Sequence, residues 1–225
     1  MTAILMTLLF SAQAETTPFR SHSKLVSSNG QGVLVLTGEA DGTAVIDRFS
    51  DRVYKQRSAA DDEVRDLLFD AYFGLDGVWL TETLGFGYHF PGSGVMSITR
   101  RDDASLAVTE WAWVPMGLDH PGYVQMLEIE NRTDEPKTMT VNSLHNVHLG
   151  SPVDGSFFGS ESIWSDGQNL VEVGTETGLG MWFHATRDTS AYTCDRAFET
   201  VAGFDSRFGT ETDPWENDDQ VGGFQ

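Results

Sequence analysis

The sequence predicts a mainly β protein built of antiparallel strands with one short helix, and three observations lead there. Residues 106–149 hold three strand-like runs, LAVTEWAWV (106–114), YVQMLEIEN (123–131) and KTMTVNSLHNV (137–147). β-Branched and aromatic residues fill the runs, while Pro, Gly, Asn and Asp collect between them. A second hairpin signal lies earlier, where VLVLTG and AVIDRF flank Ala40-Asp41-Gly42, since Asp-Gly suits the positive φ of a tight turn. Only residues 58–73 carry a helical period: Val64, Leu67, Leu68, Ala71 and Tyr72 fall at i, i+3, i+4, i+7 and i+8.

Taken in order, residues 1–14 are apolar from Ala3 to Phe10 and then offer Ala12-Gln13-Ala14, the small-x-small spacing of a signal-peptide cleavage site. Export is therefore expected, to the periplasm or the outside. Residues 24–225 form one β domain in this reading, a length that buries a single substantial core. Asn29-Gly30-Gln31-Gly32 is read as a turn and not a phosphate loop, because no Lys-Ser or Lys-Thr follows it. In the helix expected over 58–73, Asp61, Asp62 and Glu63 sit in the first turn, where the helix dipole favours anions. Residues 78–83 and 95–100 read as strands joined by a Gly-rich connection that carries His89 between Tyr88 and Phe90.

The three central runs are expected to form a meander. Trp111 and Trp113 stand two apart, so they point to one side of their strand. Two indoles on one face either anchor a core between sheets or form a platform for a sugar ring, and their burial capacity favours the core. Further on, residues 170–173 and 181–184 read as paired strands, residues 204–219 as a solvated acidic loop, and residues 220–225 as the opening of a strand left at an open sheet edge. That edge is the reason to expect a domain cut short at its C-terminal end.

Charge and cysteine content exclude several functions. Fourteen Lys and Arg stand against 34 Asp and Glu, a net charge of −20, which repels nucleic acid and anionic membranes and leaves neutral molecules such as sugars unaffected. Cys194 is the only cysteine, so no intramolecular disulfide and no multi-cysteine metal site is expected. His145 and His148, three apart, fall on opposite faces of a regular strand and cannot chelate one ion together. No metal and no cofactor is expected.

Several of these segments together resemble the N-terminal β-supersandwich domain that precedes the (α/α)₆ barrel of bacterial glucoamylase-like glycoside hydrolases and related sugar phosphorylases. The matching pieces are Asn29-Gly-Gln-Gly followed by VLVL, the run Arg65-Asp-Leu-Leu-Phe-Asp70 leading to Tyr72-Phe73-Gly74, and EWAWVPMGLDHPGYVQMLEIENRTDEPKTMTV (110–141). Within the last, the Val114-Pro115 turn, the Leu118-Asp-His-Pro121 link and the strand closing on Asn131 are the family-like features. The resemblance spans about residues 24–185.

The resemblance implies an antiparallel supersandwich of the galactose-mutarotase type. It also implies a non-catalytic domain that packs against a barrel absent from this chain, because in such enzymes the acid and base carboxylates lie in the barrel. Neutral carbohydrate is the expected ligand, with Trp111, Trp113 and His89 as candidate contacts. Two other readings remain open. A mutarotase-type epimerase would pair one of His89, His145, His148 and His184 with Glu110 or Glu128. A free-standing sugar-binding module would use Trp79, Trp111 or Trp113.

Overall fold

A computed structural model describes residues 15–17, 24–50, 66–89, 94–150, 160–165, 170–175, 180–187, 189–196, 215–217 and 220–224. In chain order the strands are β1 (Glu15–Thr17), β2 (Lys24–Ser28), β3 (Val33–Gly38), β4 (Ala44–Ser50), β5 (Asp66–Leu75), β6 (Val78–Trp79), β7 (Gly85–His89), β8 (Val95–Asp102) and β9 (Leu106–Trp113). There follow β10 (Val124–Asn131), β11 (Val141–Gly150), β12 (Ser160–Ser165), β13 (Leu170–Thr175), β14 (Gly180–His184), β15 (Tyr192–Arg196), β16 (Trp215–Asn217) and β17 (Gln220–Phe224). Among the described residues the strand pairings are antiparallel and build three sheets. A five-stranded sheet has the order β1-β7-β8-β9-β10. An eight-stranded sheet runs β15-β17-β11-β5-β4-β3-β2, with β6 attached to β5, and a four-stranded sheet runs β14-β13-β12-β16.

Alternation decides which side chains meet between the sheets. In β9, Leu106, Val108, Glu110 and Ala112 point inward, as does Val114 just after it, and the residues between them do not. Phe86, Met96, Ile98, Ala112 and Val114 of the five-stranded layer thus meet Leu34, Leu36, Ile46, Phe49, Leu68 and Ala71 of the eight-stranded one, none more than 1% exposed. The four-stranded sheet adds Met181 and Phe183 to the same core. Each fully buried Leu, Ile or Phe contributes roughly 1.5–3 kcal/mol relative to exposure, so this shared face dominates the stability.

Polar contacts fix how the layers close. Asn29 Oδ1 accepts the N–H groups of Gln31 and Gly32 at 2.9 and 3.1 Å, making the expected turn, and its Nδ2 donates to Pro115 O at 2.8 Å across the layers. Val114 N donates to Ser27 Oγ at 2.9 Å, and the Tyr88 hydroxyl donates to Val26 O at 3.0 Å. The Asp41-Gly42 turn is also as expected: Gly42 has φ +94°, and Asp41 Oδ1 accepts the N–H of Thr43 at 2.9 Å. Residues 170–175 and 180–184 pair as read from the sequence.

Four expectations need correction. Over residues 66–73 there is no helix, because β5 lies between β4 and β11 in the eight-stranded sheet. Its apolar run, Leu67-Leu68-Phe69-Asp70-Ala71-Tyr72-Phe73, fits a strand covered on both faces as well as it fits a helix face, and sheet pairing decides. Residues 58–65, with Asp61, Asp62, Glu63 and Val64, lie outside the described residues.

The three central runs are likewise not one meander. β9 and β10 form a hairpin, whereas β11 belongs to the eight-stranded sheet beside β5. The crossing is pinned by Asp76, whose N–H donates to Thr140 O at 2.9 Å and whose Oδ1 accepts Thr140 N–H at 2.9 Å. Third, His89 ends strand β7 and does not sit on a loop. Fourth, β17 is no open edge: β11 pairs on one side of it and β15 on the other. The expected leader at 1–14, most of the acidic stretch at 204–219, and the side chains of Cys194 and His148 lie outside the described residues.

Candidate functional site

The alternation that buries Leu106, Val108 and Val114 turns Trp111 and Trp113 to the opposite, outward face of the five-stranded sheet, where both are half-buried. Their burial capacity pointed to the core, but the core side is taken by the other parity, Glu110 included. That carboxylate occupies the inward parity with 0% exposure, against every hydropathy ranking. It stays there because Arg100, at a register irregularity in β8, reaches it from the next strand: Nε and Nη2 donate to Glu110 Oε2 at 2.8 and 2.5 Å. Gln125 Nε2 donates to the other oxygen at 2.8 Å. The remaining guanidinium nitrogen, Nη1, donates to the carbonyls of Ala44, Thr81 and Glu82 at 2.6, 3.1 and 3.2 Å, tying the two layers together. Glu110 is a structural clamp, with both carboxylate oxygens engaged.

Around Trp111 the outward face is assembled row by row. Ser97 of β8 and Met126 of β10 flank it in register. His89 lies against the indole with ring centroids 4.4 Å apart at 51°, and its Nε2 is 2.7 Å from Ser97 Oγ. Partial burial holds His89 below the ordinary histidine value, so it meets Trp111 as a neutral imidazole at neutral pH. Trp111 Nε1 donates to Glu128 Oε2 at 2.9 Å. One position along, Trp113 pairs with Val124. The three residues singled out from the sequence thus share one face, with direct contact between His89 and Trp111.

The same face continues as a polar hollow of about 300 Å³ whose walls include Thr99, Thr109, Glu128, Glu130 and Arg132. Arg132 is held by Asp102 at 2.6 Å and Glu130 at 3.4 Å, and Arg101 by Asp103 at 2.6 Å. The Ser105 hydroxyl, and after it Arg101, keep the Asp103 carboxyl well below the usual carboxylate range. Sequence reading named Glu128 as a candidate partner of a histidine but missed Ser97, Thr99 and Met126 as members of this face. Their signal was parity: Met126, Glu128 and Glu130 alternate with Leu127 and Ile129, and Thr109 shares the parity of Trp111.

Two other candidate histidines, His145 and His184, stand apart from this face. His145 is 8% exposed in the core, its Nδ1 2.7 Å from the Tyr123 hydroxyl and its ring stacked on Phe183 at 4.4 Å. Burial pushes its pKa down to about 3. His184 is exposed on β14 in the four-stranded sheet. Trp79 packs at the back of the eight-stranded sheet against Tyr72, ring centroids 5.9 Å apart. Among the described residues no three metal-ligating side chains converge.

An aromatic patch next to hydroxyls and carboxylates on a sheet surface can do one thing well. Indole faces cover the apolar C–H side of a sugar ring, while Thr, Glu and Ser side chains exchange hydrogen bonds with its hydroxyl groups. No family model, curated protein or solved structure matches the chain.

Proposed function

We propose that this chain is the non-catalytic β-supersandwich domain of an exported, glucoamylase-like glycoside hydrolase, and that it touches neutral carbohydrate through Trp111, Trp113 and His89. In this reading the catalytic carboxylates belong to an (α/α)₆ barrel against which the domain packs, and the domain shapes substrate access. The observation that carries the proposal is the outward Trp111, packed at a tilt against His89 and tethered through its N–H to Glu128. A chain needing these indoles only for stability would turn them inward, where they contribute most.

The epimerase alternative requires a histidine and a glutamate across one open face. Glu110 is closed to it by Arg100, and His145 by its burial. Among the described side chains, His89 and Glu128 are the pair that shares one face, one on each side of Trp111, and polarimetry tests them: no acceleration of glucose mutarotation is expected.

The direct test is calorimetric titration of the purified chain with linear gluco-oligosaccharides. Binding that is lost in Trp111→Ala, with the melting curve retained, supports the proposal. Absence of any saccharide binding ends it. Hydrolysis of a glycoside by the chain alone, dependent on one of its own carboxylates, would also end the non-catalytic assignment.

A further inference from the structure

We infer that the outward face of β9 takes a run of sugar rings lying along the strand and selects uncharged or amino sugars over uronic or sulfated ones, an inference that rests on the carbohydrate reading above. Trp113, Trp111, Thr109 and Ala107 are successive positions on one side of β9. Same-side positions on a strand repeat every ~6.6 Å, somewhat more than the advance of one 1,4-linked pyranose unit, so four of them make a track of roughly 20 Å, room for about four units. The track changes chemistry along its length. Val124 and Met126 flank the two tryptophans, Thr99 and Glu128 flank Thr109, and Asp102 and Glu130 flank Ala107. A single ring over Trp111 would leave the hydroxyl-bearing row and the hollow beside it unused.

Hydrogen-bonding capacity is graded in the same direction. The Glu128 carboxylate receives the Trp111 N–H at 2.9 Å and has further lone pairs for a sugar hydroxyl. Thr99 and Thr109, cross-strand partners, offer hydroxyls that both donate and accept. A ring seated on Trp111 therefore has its neighbour over Thr109 and Glu128.

Charge sets the selectivity. Three carboxylates, Asp102, Glu128 and Glu130, line the polar half, against the two guanidiniums of Arg101 and Arg132. Both guanidiniums are already engaged, Arg132 with Asp102 and Glu130, Arg101 with Asp103. A sugar carboxylate or sulfate arriving over Thr109 meets carboxylates, and the net −20 of the chain adds to the repulsion. An ammonium group meets the same carboxylates with attraction.

The experiment is a titration of the full chain with four ligand sets, read by calorimetry: α-1,4- and β-1,4-linked gluco-oligosaccharides of one to six units, trigalacturonate, and the trimer of glucosamine. Affinity should rise at least tenfold from one unit to three for the preferred linkage and level off beyond four. Trigalacturonate should bind at least tenfold more weakly than the neutral trimer. The glucosamine trimer should bind at least as tightly as the neutral one, with an advantage that shrinks as salt is added.

Thr109→Val, which keeps shape and removes the hydroxyl, should weaken the trimer and leave the single sugar unchanged; Glu128→Gln should narrow the gap between trigalacturonate and the neutral trimer. A single sugar that binds as tightly as the tetramer, or trigalacturonate that binds as tightly as the neutral trimer, overturns this inference while leaving the platform at Trp111 standing. Failure of every saccharide to bind removes both.

Discussion

Replacing Arg100 by Ala probes the interaction that allows the whole outward face to exist. The side chain is 1% exposed and its partner Glu110 0%. Truncation leaves the Glu110 carboxylate in the core with Gln125 Nε2 as its remaining donor and withdraws a donor from three carbonyls, those of Ala44, Thr81 and Glu82. Removing one member of a buried pair costs about 3–5 kcal/mol, and an orphaned buried acceptor about 1–3 kcal/mol. Because Thr81 and Glu82 sit where water can replace the guanidinium, a total near 5 kcal/mol is expected. In a chain of this size that lowers the melting temperature by roughly 10–20 °C, a large share of the 5–15 kcal/mol that holds a domain together.

Urea denaturation followed by circular dichroism gives the free energy, and a double-mutant cycle isolates the pair. Arg100→Met combined with Glu110→Leu should be more stable than either single variant, since the cost of burying charge disappears with both partners. Arg100→Ala within 1 kcal/mol of the parent, or a double variant as unstable as the two single effects added, would refute the reasoning.

Three further outcomes follow from the same geometry. His145 is neutral when folded, with a pKa of about 3 against roughly 6.5 in the unfolded chain, so the unfolded state binds the extra proton between those values. Its contribution is intact above pH 6.5 and is lost at up to ~1.4 kcal/mol per unit as pH falls toward 3; a His145→Gln variant should show a flatter stability profile over that window in acid titration of the denaturation midpoint. Asn29→Ala removes the two turn bonds and the bond to Pro115 O, and should cost about 1–3 kcal/mol by denaturant titration. Trp111→Ala should reduce oligosaccharide affinity at least tenfold while shifting the melting temperature far less than Arg100→Ala does, as differential scanning calorimetry would report.

Strand content was legible because alternation and turn chemistry agree locally: the Asp41-Gly42 hairpin, the Asn29 turn and the β9–β10 hairpin all follow from residues a few positions apart. Pairing at a distance was not. That β11 joins β5, and that β17 enters between β11 and β15, depends on contacts across dozens of residues that no local period encodes. For β5 the sequence was ambiguous in itself, because seven nearly continuous apolar positions satisfy both periods.

The face of β9 shows a different kind of failure. Its two parities are Leu106-Val108-Glu110-Ala112-Val114 and Ala107-Thr109-Trp111-Trp113, and the burial capacity of two indoles pointed to the second as the inward set, whereas the first is. Hydropathy scores residues singly, whereas the burial of Glu110 is a property of the pair it forms with Arg100. Trp111, Trp113 and His89 share one face, and the orientation of the two indoles depends on a partner in another strand.

The most direct measurement is a proton–nitrogen correlation spectrum of the six indole N–H groups, assigned by single Trp→Phe variants and recorded during titration with a gluco-oligosaccharide trimer. The expected result is displacement of the Trp111 and Trp113 signals with those of Trp79 and Trp182 unmoved. Movement confined to Trp79 or Trp182, or no movement at all at saturating sugar, would contradict a carbohydrate-contacting face on β9.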